Sequence, residues 1–415
     1  MTERLQAPRG TYDVLPEHAV ARAAVERAAR GVLEPAGYRR IETPAFEHTE
    51  LFSRGVGEST DIVQKEMFTF DDRGGRSLTL RPEGTAPVAR AYLEHGMHKL
   101  PQPVRVWYLG AFFRNERPQA GRFKQFWQIG AEAIGSDDPA VDAELVALLQ
   151  ALLDTLEVRG VQLRINSLGT PASRAVYREQ LAGHLRAHED QLSEDVRLRI
   201  DLNPLRAFDS DHPGTQAVMT SAPLLADVLD DADREHFAAV RELLDAAGVA
   251  YEVDPTLVRG LDYYTRTIFE FTSGDLGAQS AVGGGGRYDG LAEQLGGPPT
   301  PGCGWAAGIE RMLLAAEPRP EPEPVCDLFV AWEPDCRAQA FELVTRARGA
   351  GLGAQMDLAG RSRKGQLKQA GRLGARYVAL LAPEGAALKD MELGEQQDVD
   401  AGAIVARVIN GRHLA

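Results

Sequence analysis

Residues 112–132, FFRNERPQAGRFKQFWQIGAE, limit what this chain can be more than any other stretch. Two strand-like runs flank Pro118-Gln119-Ala120-Gly121. Proline fixes φ and glycine can take φ > 0, so these four residues predict a tight turn. Phe112–Arg117 and Phe123–Glu132 are then the strands of a hairpin. Side chains alternate between the faces of a strand. Lys124, Phe126, Gln128, Gly130 and Glu132 therefore share one face, and Phe123, Gln125, Trp127, Ile129 and Ala131 the other. The second set is mostly apolar and wants a core. The first places an amide and a carboxylate on either side of a glycine, with room above Gly130. Arg114 and Glu116 point the same way on the first strand. The pattern predicts a cation, an amide and a carboxylate around one hollow. Taken alone, it also suits an amphipathic hairpin with one solvated face.

Several other stretches carry chemistry. Pro82-Glu83-Gly84-Thr85 follows a predicted strand, Ser77–Arg81. A carboxylate on such a turn can hold an ammonium group, or serve as the N-terminal acid of a helix beginning at Thr85. Val258-Arg259-Gly260-Leu261-Asp262-Tyr263-Tyr264 precedes an alternating strand, Thr265–Phe271. Glycine beside arginine allows close approach to a ligand, and two tyrosines make an aromatic wall with hydroxyl tips. Strand alternation would let only one of the pair face a pocket unless the backbone twists. Gly283–Gly286 lacks the Lys-Ser/Thr of a phosphate-binding P-loop; four glycines fit a strand passing close under a ligand. Cys303–Leu314 (CGWAAGIERMLL) is a glycine-rich strand entering a helix, with Arg311 at its start. His95 and His98 have no third partner in sequence, which reads as surface rather than metal.

Organisation follows from the same pass. A chain of 415 residues suggests two or three domains. Glu17–Leu33 is predicted as a helix, Tyr38–Pro44 as a strand halted by proline, and Gly55–Phe70 as a loop running into a strand. Residues 171–231 are helical, charged and less apolar, and read as an insertion into a core of 1–170 and 232–316. Residues 317–325 (EPRPEPEPV) read as a stiff proline-rich linker. From 326 to 415, helices alternate with strands, which predicts a small α/β domain with a mixed or parallel sheet. No apolar run approaches the ~20 residues that span a membrane. The opening MTERLQAPRGTYDVLP has neither an apolar segment nor a cleavage site, so no export signal is expected. Three cysteines without zinc-type spacing fit a reducing cytoplasm. Net charge is −14, yet from Cys326 onward 12 Lys+Arg nearly balance 11 Asp+Glu. Arg361–Arg376 carries six cations and no anion, a local patch suited to phosphates.

The hairpin resembles the second signature motif of class II aminoacyl-tRNA synthetases, in its histidyl-tRNA synthetase form. The resemblance covers nearly the whole chain. The helix–strand–Pro44 unit resembles the first motif, which builds a dimer interface, and CGWAAGIERMLL the third. Glu83-Gly84-Thr85 resembles the site for the α-amino group of histidine. LVRGLDYY and the glycine run resemble histidyl-specific segments, and DLAGRSRKGQLKQAGRLGARYVALL the class IIa anticodon-binding domain. The resemblance implies an α+β fold: an antiparallel-sheet catalytic domain with a helical insertion, plus a C-terminal α/β anticodon-binding domain. It implies a cytoplasmic homodimeric ligase acting on L-histidine, ATP and the histidine tRNA, with no membrane or DNA partner. Arg114 and Arg259 would contact the α-phosphate and act as the catalytic residues. Arg311 would take the γ end, and Glu116 would bind ATP. Glu83, Gly84, Thr85, Gln128, Glu132, Tyr263 and Tyr264 would bind histidine. Arg361, Arg363, Lys364 and Lys368 would meet the tRNA. Mg²⁺ would arrive with ATP, with no metal cluster of the protein's own and no organic cofactor. A relative that shares the fold without the chemistry, the regulatory subunit of a histidine-biosynthetic ATP phosphoribosyltransferase, generally lacks the anticodon domain and the full arginine set.

Overall fold

The computed structural model describes residues 4–57, 60–117, 121–277, 280–317 and 326–412. The chain divides into two units, Met1–Arg319 and Pro320–Ala415. In chain order the first carries strands β1 (Arg39–Arg40), β2 (Phe46–His48), β3 (Phe68–Asp71), β4 (Ser77–Leu80), β5 (Val104–Phe113), β6 (Gln125–Ile134), β7 (Val161–Ser167), β8 (Glu252–Val253), β9 (Thr265–Ser273), β10 (Ala281–Arg287) and β11 (Gly302–Gly308). Eight form one sheet in the order β1-β5-β6-β11-β10-β9-β7-β8, antiparallel except where β1 joins β5 and β8 joins β7. A smaller sheet runs β2-β4-β3.

One face of the large sheet is the core. Ile129, Ala131 and Ala133 of β6 pack with Trp107, Phe269, Phe271 and Trp305. Helices Pro16–Leu33, Pro139–Thr155 and Asp231–Ala246 close over them with Val25, Leu149 and Val240. The alternate residues of β6, Gln128, Gly130 and Glu132, therefore face the other way, toward the helix Thr85–Glu94. The insertion-like stretch contributes helices Pro171–Ala187, Glu194–Arg199 and Pro213–Met219. Its Tyr177, Leu181 and Val196 share one apolar cluster with Tyr263, Tyr264 and Tyr288.

The hairpin differs from its sequence reading at both strand ends. β5 starts eight residues earlier than expected and stops at Phe113. Arg114 still donates its amide to Lys124, but the Asn115 N–H turns to the carbonyl of Glu66, 2.7 Å away. On the other side Lys124 gives its amide to Gly10 at 2.7 Å, so β6 begins only at Gln125. Of the predicted turn, Pro118, Gln119 and Ala120 lie outside the described residues; Gly121 takes φ +72°. Of the predicted strand Tyr38–Pro44 only Arg39–Arg40 pairs. The stretch Gly55–Phe70 runs into a strand, β3, as expected, but the part before it holds the end of a helix, Thr49–Val56, and a π-helical turn, Ile62–Glu66; Glu58 and Ser59 lie outside the described residues. Residues 318–325 of the predicted linker do so as well.

The second unit is a five-stranded mixed sheet. Leu328–Trp332 runs parallel to the edge strand Ala354–Met356 on one side and to the central strand Tyr377–Ala382 on the other. An antiparallel hairpin, Gly385–Asp390 and Gln396–Val399, extends it. Helices Arg337–Gly349, Arg363–Arg372 and Ile404–Arg412 accompany the sheet. All three cysteines are free and buried. No described helix is long and apolar enough to cross a membrane.

Candidate active site

On the far face of the large sheet lies a cavity of about 340 Å³. Its floor is β6, β10 and β11, through Gln128, Gly284 and Ala306. Arg114 and Glu116, just past β5, Arg259 from the loop before β9, and Arg311 from the helix Ile309–Ala315 all open onto it. Glu83, Gly84, Thr85, Tyr263 and Tyr264 complete the wall. The sites expected from sequence thus meet on one surface, although they lie up to 228 positions apart in the chain.

Each cation is held in place. Arg114 donates Nε to the Pro82 carbonyl at 2.9 Å, covers the Phe126 ring at 5.5 Å, and stands 3.7 Å from Glu116. Arg259 pairs with Glu270 at 2.5 Å, and Glu270 also takes Arg164 at 2.9 Å. Burial works against the charge on Arg259, but Tyr264 and Glu270 outweigh it and hold its pKa above the ordinary value. Arg311 donates to the Ala281 carbonyl at 2.6 Å. Its pKa is lowered, first by burial and then by the nearby Arg122. Clustered, partly desolvated guanidinium groups of this kind are relieved by an anion. Arg122 was not singled out in the sequence; it lines the cavity and stands 3.0 Å from Glu116.

The carboxylate end is built from the helix Thr85–Glu94. Glu83 accepts the backbone N–H groups of Thr85 and Ala86 at 2.8 and 2.9 Å, so it is the acid at that helix N-terminus and also a cavity wall. Of the two alternatives left open by the sequence, the acid at a helix N-terminus is realised, and the same carboxylate faces the cavity. Burial nevertheless raises its pKa. Glu132 is wholly buried and is not part of the lining; Thr85 and Tyr108, which are, both hydrogen-bond to it, at 2.8 and 3.4 Å. Tyr288 donates to its other oxygen at 2.7 Å. The Gln128 Oε1 is buried without a partner, an acceptor facing a ligand's place.

Four expectations need correction. The room above Gly130 is filled: a Cβ there would meet the Tyr108 ring at 2.3 Å. Tyr108 sits directly opposite Gly130 in the β5–β6 register. Second, both tyrosines of the pair line the cavity, because residues 262–263 form a turn and β9 begins only at Thr265. Their rings meet edge-on at 4.8 Å, and the Tyr263 hydroxyl reaches Glu83 at 3.5 Å. Third, the glycine run serves strand packing as much as a ligand. A Cβ on Gly285 would lie 1.9 Å from the Gly304 carbonyl, and one on Gly286 2.5 Å from that of Thr267. Gly283 and Gly284 line the cavity, and Gly284 has Arg259 Nη1 over it at 3.2 Å. Fourth, Lys124, assigned to the site face, does not line the cavity; it donates to Asn115 at 2.5 Å. Glu310 was overlooked: it lines the cavity and accepts from Tyr12 (2.6 Å), Arg22 (2.8 Å) and the Trp127 amide (3.0 Å).

In the second unit the basic stretch is partly neutralised from outside itself. Arg361 pairs with Asp357 at 2.7 Å and Arg363 with Glu333 at 3.3 Å. Lys364 and Lys368, one helical turn apart, are exposed. Among the described residues, no three His, Cys, Asp or Glu side chains form a metal cluster.

An antiparallel sheet whose cavity gathers a carboxylate at a helix N-terminus and converging arginines is the class II aminoacyl-tRNA synthetase fold. The family model described as histidyl-tRNA synthetase matches residues 10–312. A histidine–tRNA ligase of Desulforamulus reducens is 47% identical over 407 residues, covering 96% of this chain and 97% of the relative. One of Halorhodospira halophila is 51% identical, covering 92% and 90%. The structure of an apo histidyl-tRNA synthetase of S. aureus superposes with a TM-score of 0.82 at 35% identity, covering 98% of this chain and all of that one. The chain belongs to the histidyl-tRNA synthetase family.

Proposed function

We propose that this chain joins L-histidine to the histidine tRNA at the expense of ATP, in two steps. A histidine carboxylate oxygen attacks the α-phosphorus of ATP, the bond to the leaving pyrophosphate breaks, and histidyl-adenylate forms. A terminal ribose hydroxyl of the tRNA then attacks the adenylate carbonyl, and AMP leaves. The observation that carries this reading is the convergence of Arg114, Arg259 and Arg311 on one cavity beside Glu83, Thr85 and Tyr264.

The first step brings two anions together and builds negative charge between them, so it needs cations fixed in advance. Arg114 and Arg259 supply them at the α-phosphate and Arg311 at the γ end. A guanidinium grips two oxygens and stays charged. Glu116 holds the nucleotide from the same wall. The histidine ammonium docks against Glu83 and Thr85, with Gly84 letting the Tyr108 ring pack close beside them. Gln128, Tyr263 and Tyr264 read the ring, and Glu132 acts from behind the wall through Thr85 and Tyr108. A buried polar site whose donors and acceptors lose their partners rejects the analogue strongly.

Mg²⁺ fits the donors present. It takes oxygen ligands, mostly from phosphate and water, and needs only one or two carboxylates. Glu116, whose Oε2 stands 3.0 Å from Arg122, and Glu270 both line the cavity. These two would hold the ion, which neutralises phosphate charge when bound. Residues 1–170 and 232–316 serve as the catalytic core, 171–231 as an insertion over the tRNA acceptor arm, 317–325 as a linker, and 326–415 as the anticodon-binding domain. Arg361, Arg363, Lys364 and Lys368 supply its phosphate contacts. The enzyme acts as a cytoplasmic homodimer.

Pyrophosphate exchange into ATP, measured with a panel of amino acids, tests the reading. Exchange should require histidine and fail with glutamine. Arg259→Ala should keep its fold and lose at least ~100-fold in adenylate formation. A well-folded wild-type protein without exchange would instead be a histidine-binding regulator.

A further inference from the structure

A second cavity, of about 270 Å³, lies on the other side of the 258–262 loop, between it and the helix Pro171–Ala187. Arg259 and Leu261 belong to the walls of both cavities. Four guanidinium groups border the second one, from Arg174, Arg178, Arg206 and Arg259, against a single carboxylate, Asp262. Asp262 accepts from Asn203 at 3.3 Å. Arg206 and Arg259 are already anchored, by Asp209 at 2.9 Å and Glu270 at 2.5 Å. Arg174 and Arg178 are held differently. Arg174 donates to the Asp262 carbonyl at 3.4 Å and Arg178 to the Leu202 carbonyl at 2.6 Å. Both point at neutral oxygens, and neither reaches a carboxylate within ion-pair distance among the described residues. Burial lowers the pKa of Arg174; Asp262 works against this and Arg178 adds to it. Two neighbouring guanidinium groups with spare donors repel each other until an anion bridges them, and their planar forks match phosphate oxygens.

We propose that this second cavity is a phosphate-binding site, with Arg174 and Arg178 as its ligands and Arg206 at its rim. Two sources share that chemistry: a phosphodiester near the acceptor end of the tRNA, which rests on the function proposed above, and free pyrophosphate. Either would press on the loop that carries Arg259 and so feel the state of the first cavity.

The test uses the full-length protein with the first cavity filled by histidinol and a non-hydrolysable ATP analogue, which also occupies the Arg311 end. Inorganic pyrophosphate is titrated in calorimetrically. In parallel, charging of a tRNA transcript gives the KM for RNA. The paired variant Arg174→Gln/Arg178→Gln should keep the wild-type melting temperature and the wild-type KM for ATP and histidine in exchange. Arg178→Glu, at the exposed mouth, is the second variant. If pyrophosphate saturates the loaded wild type and binds the variants at least ~10-fold more weakly, free pyrophosphate is the ligand. If pyrophosphate does not bind but the KM for RNA rises at least ~10-fold, the ligand is a phosphodiester. If neither changes, the site does not exist. A wild type that charges no RNA would overturn the proposed function, while the pyrophosphate titration would still decide the cavity.

Discussion

Glu132 shows what a single buried side chain can impose. Burial, with Glu83 adding to it, pushes its pKa up from 4.5 to about 8, against the pull of Tyr288, Thr85 and Tyr108. The folded chain therefore keeps a proton that the unfolded chain sheds above about pH 4.5. Folding stability is unaffected by this group below that pH, and falls as pH rises toward 8, where the loss is complete. The loss is of the order of 3–5 kcal/mol. Glu132→Gln should flatten that slope, with urea midpoints at pH 5 and pH 8 closer together than in the wild type. An unchanged slope would place the titration elsewhere. The side of β6 that Glu132 and Gln128 occupy was legible from alternation alone. Tyr108 was not, because the first strand was started at Phe112. Extending it back through VRVWYLGA from the same turn would have put Tyr108 opposite Gly130.

At the scale of elements, the sheet depends on strands approaching where no side chain fits. Gly285→Ala would set a Cβ 1.9 Å from a backbone oxygen that no rotamer can relieve. It should cost roughly 2–3 kcal/mol or more. Gly31→Ala, in the helix Pro16–Leu33, meets nothing within 4 Å and should stabilise by about 0.5–1 kcal/mol. Chemical denaturation of the two variants checks both signs. β10 ends on a wholly buried Arg287, paired with Asp142 of the helix Pro139–Thr155, which His236 also approaches at 3.4 Å. Arg287→Met should cost about 3–5 kcal/mol, since it strands a buried carboxylate. Adding Asp142→Leu should recover most of that loss. None of this was visible in sequence, because the partners are 145 positions apart and nothing local marks Asp142 as buried. The hairpin 385–399 escaped for another reason. Its last strand, QQDV, is largely exposed and has no apolar alternation to read.

At the scale of the molecule, motif order was legible and so was the fold it implies; the cavity beside the 258–262 loop was not, because its arginines come from separate elements. Deleting residues 326–415 should leave histidine-dependent exchange within a few fold of wild type and weaken tRNA charging by ~10-fold or more. Equal charging by the shortened chain would make Lys364 and Lys368 ordinary surface. Finally, Glu83, Arg114, Arg259 and Arg311 enter one pocket from points scattered along the first unit. A ribosome making this protein must finish roughly three-quarters of it before the last of them emerges. No nascent fragment that stops short of Arg311 can turn over ATP, and chains released by termination before that point are inert as well as short.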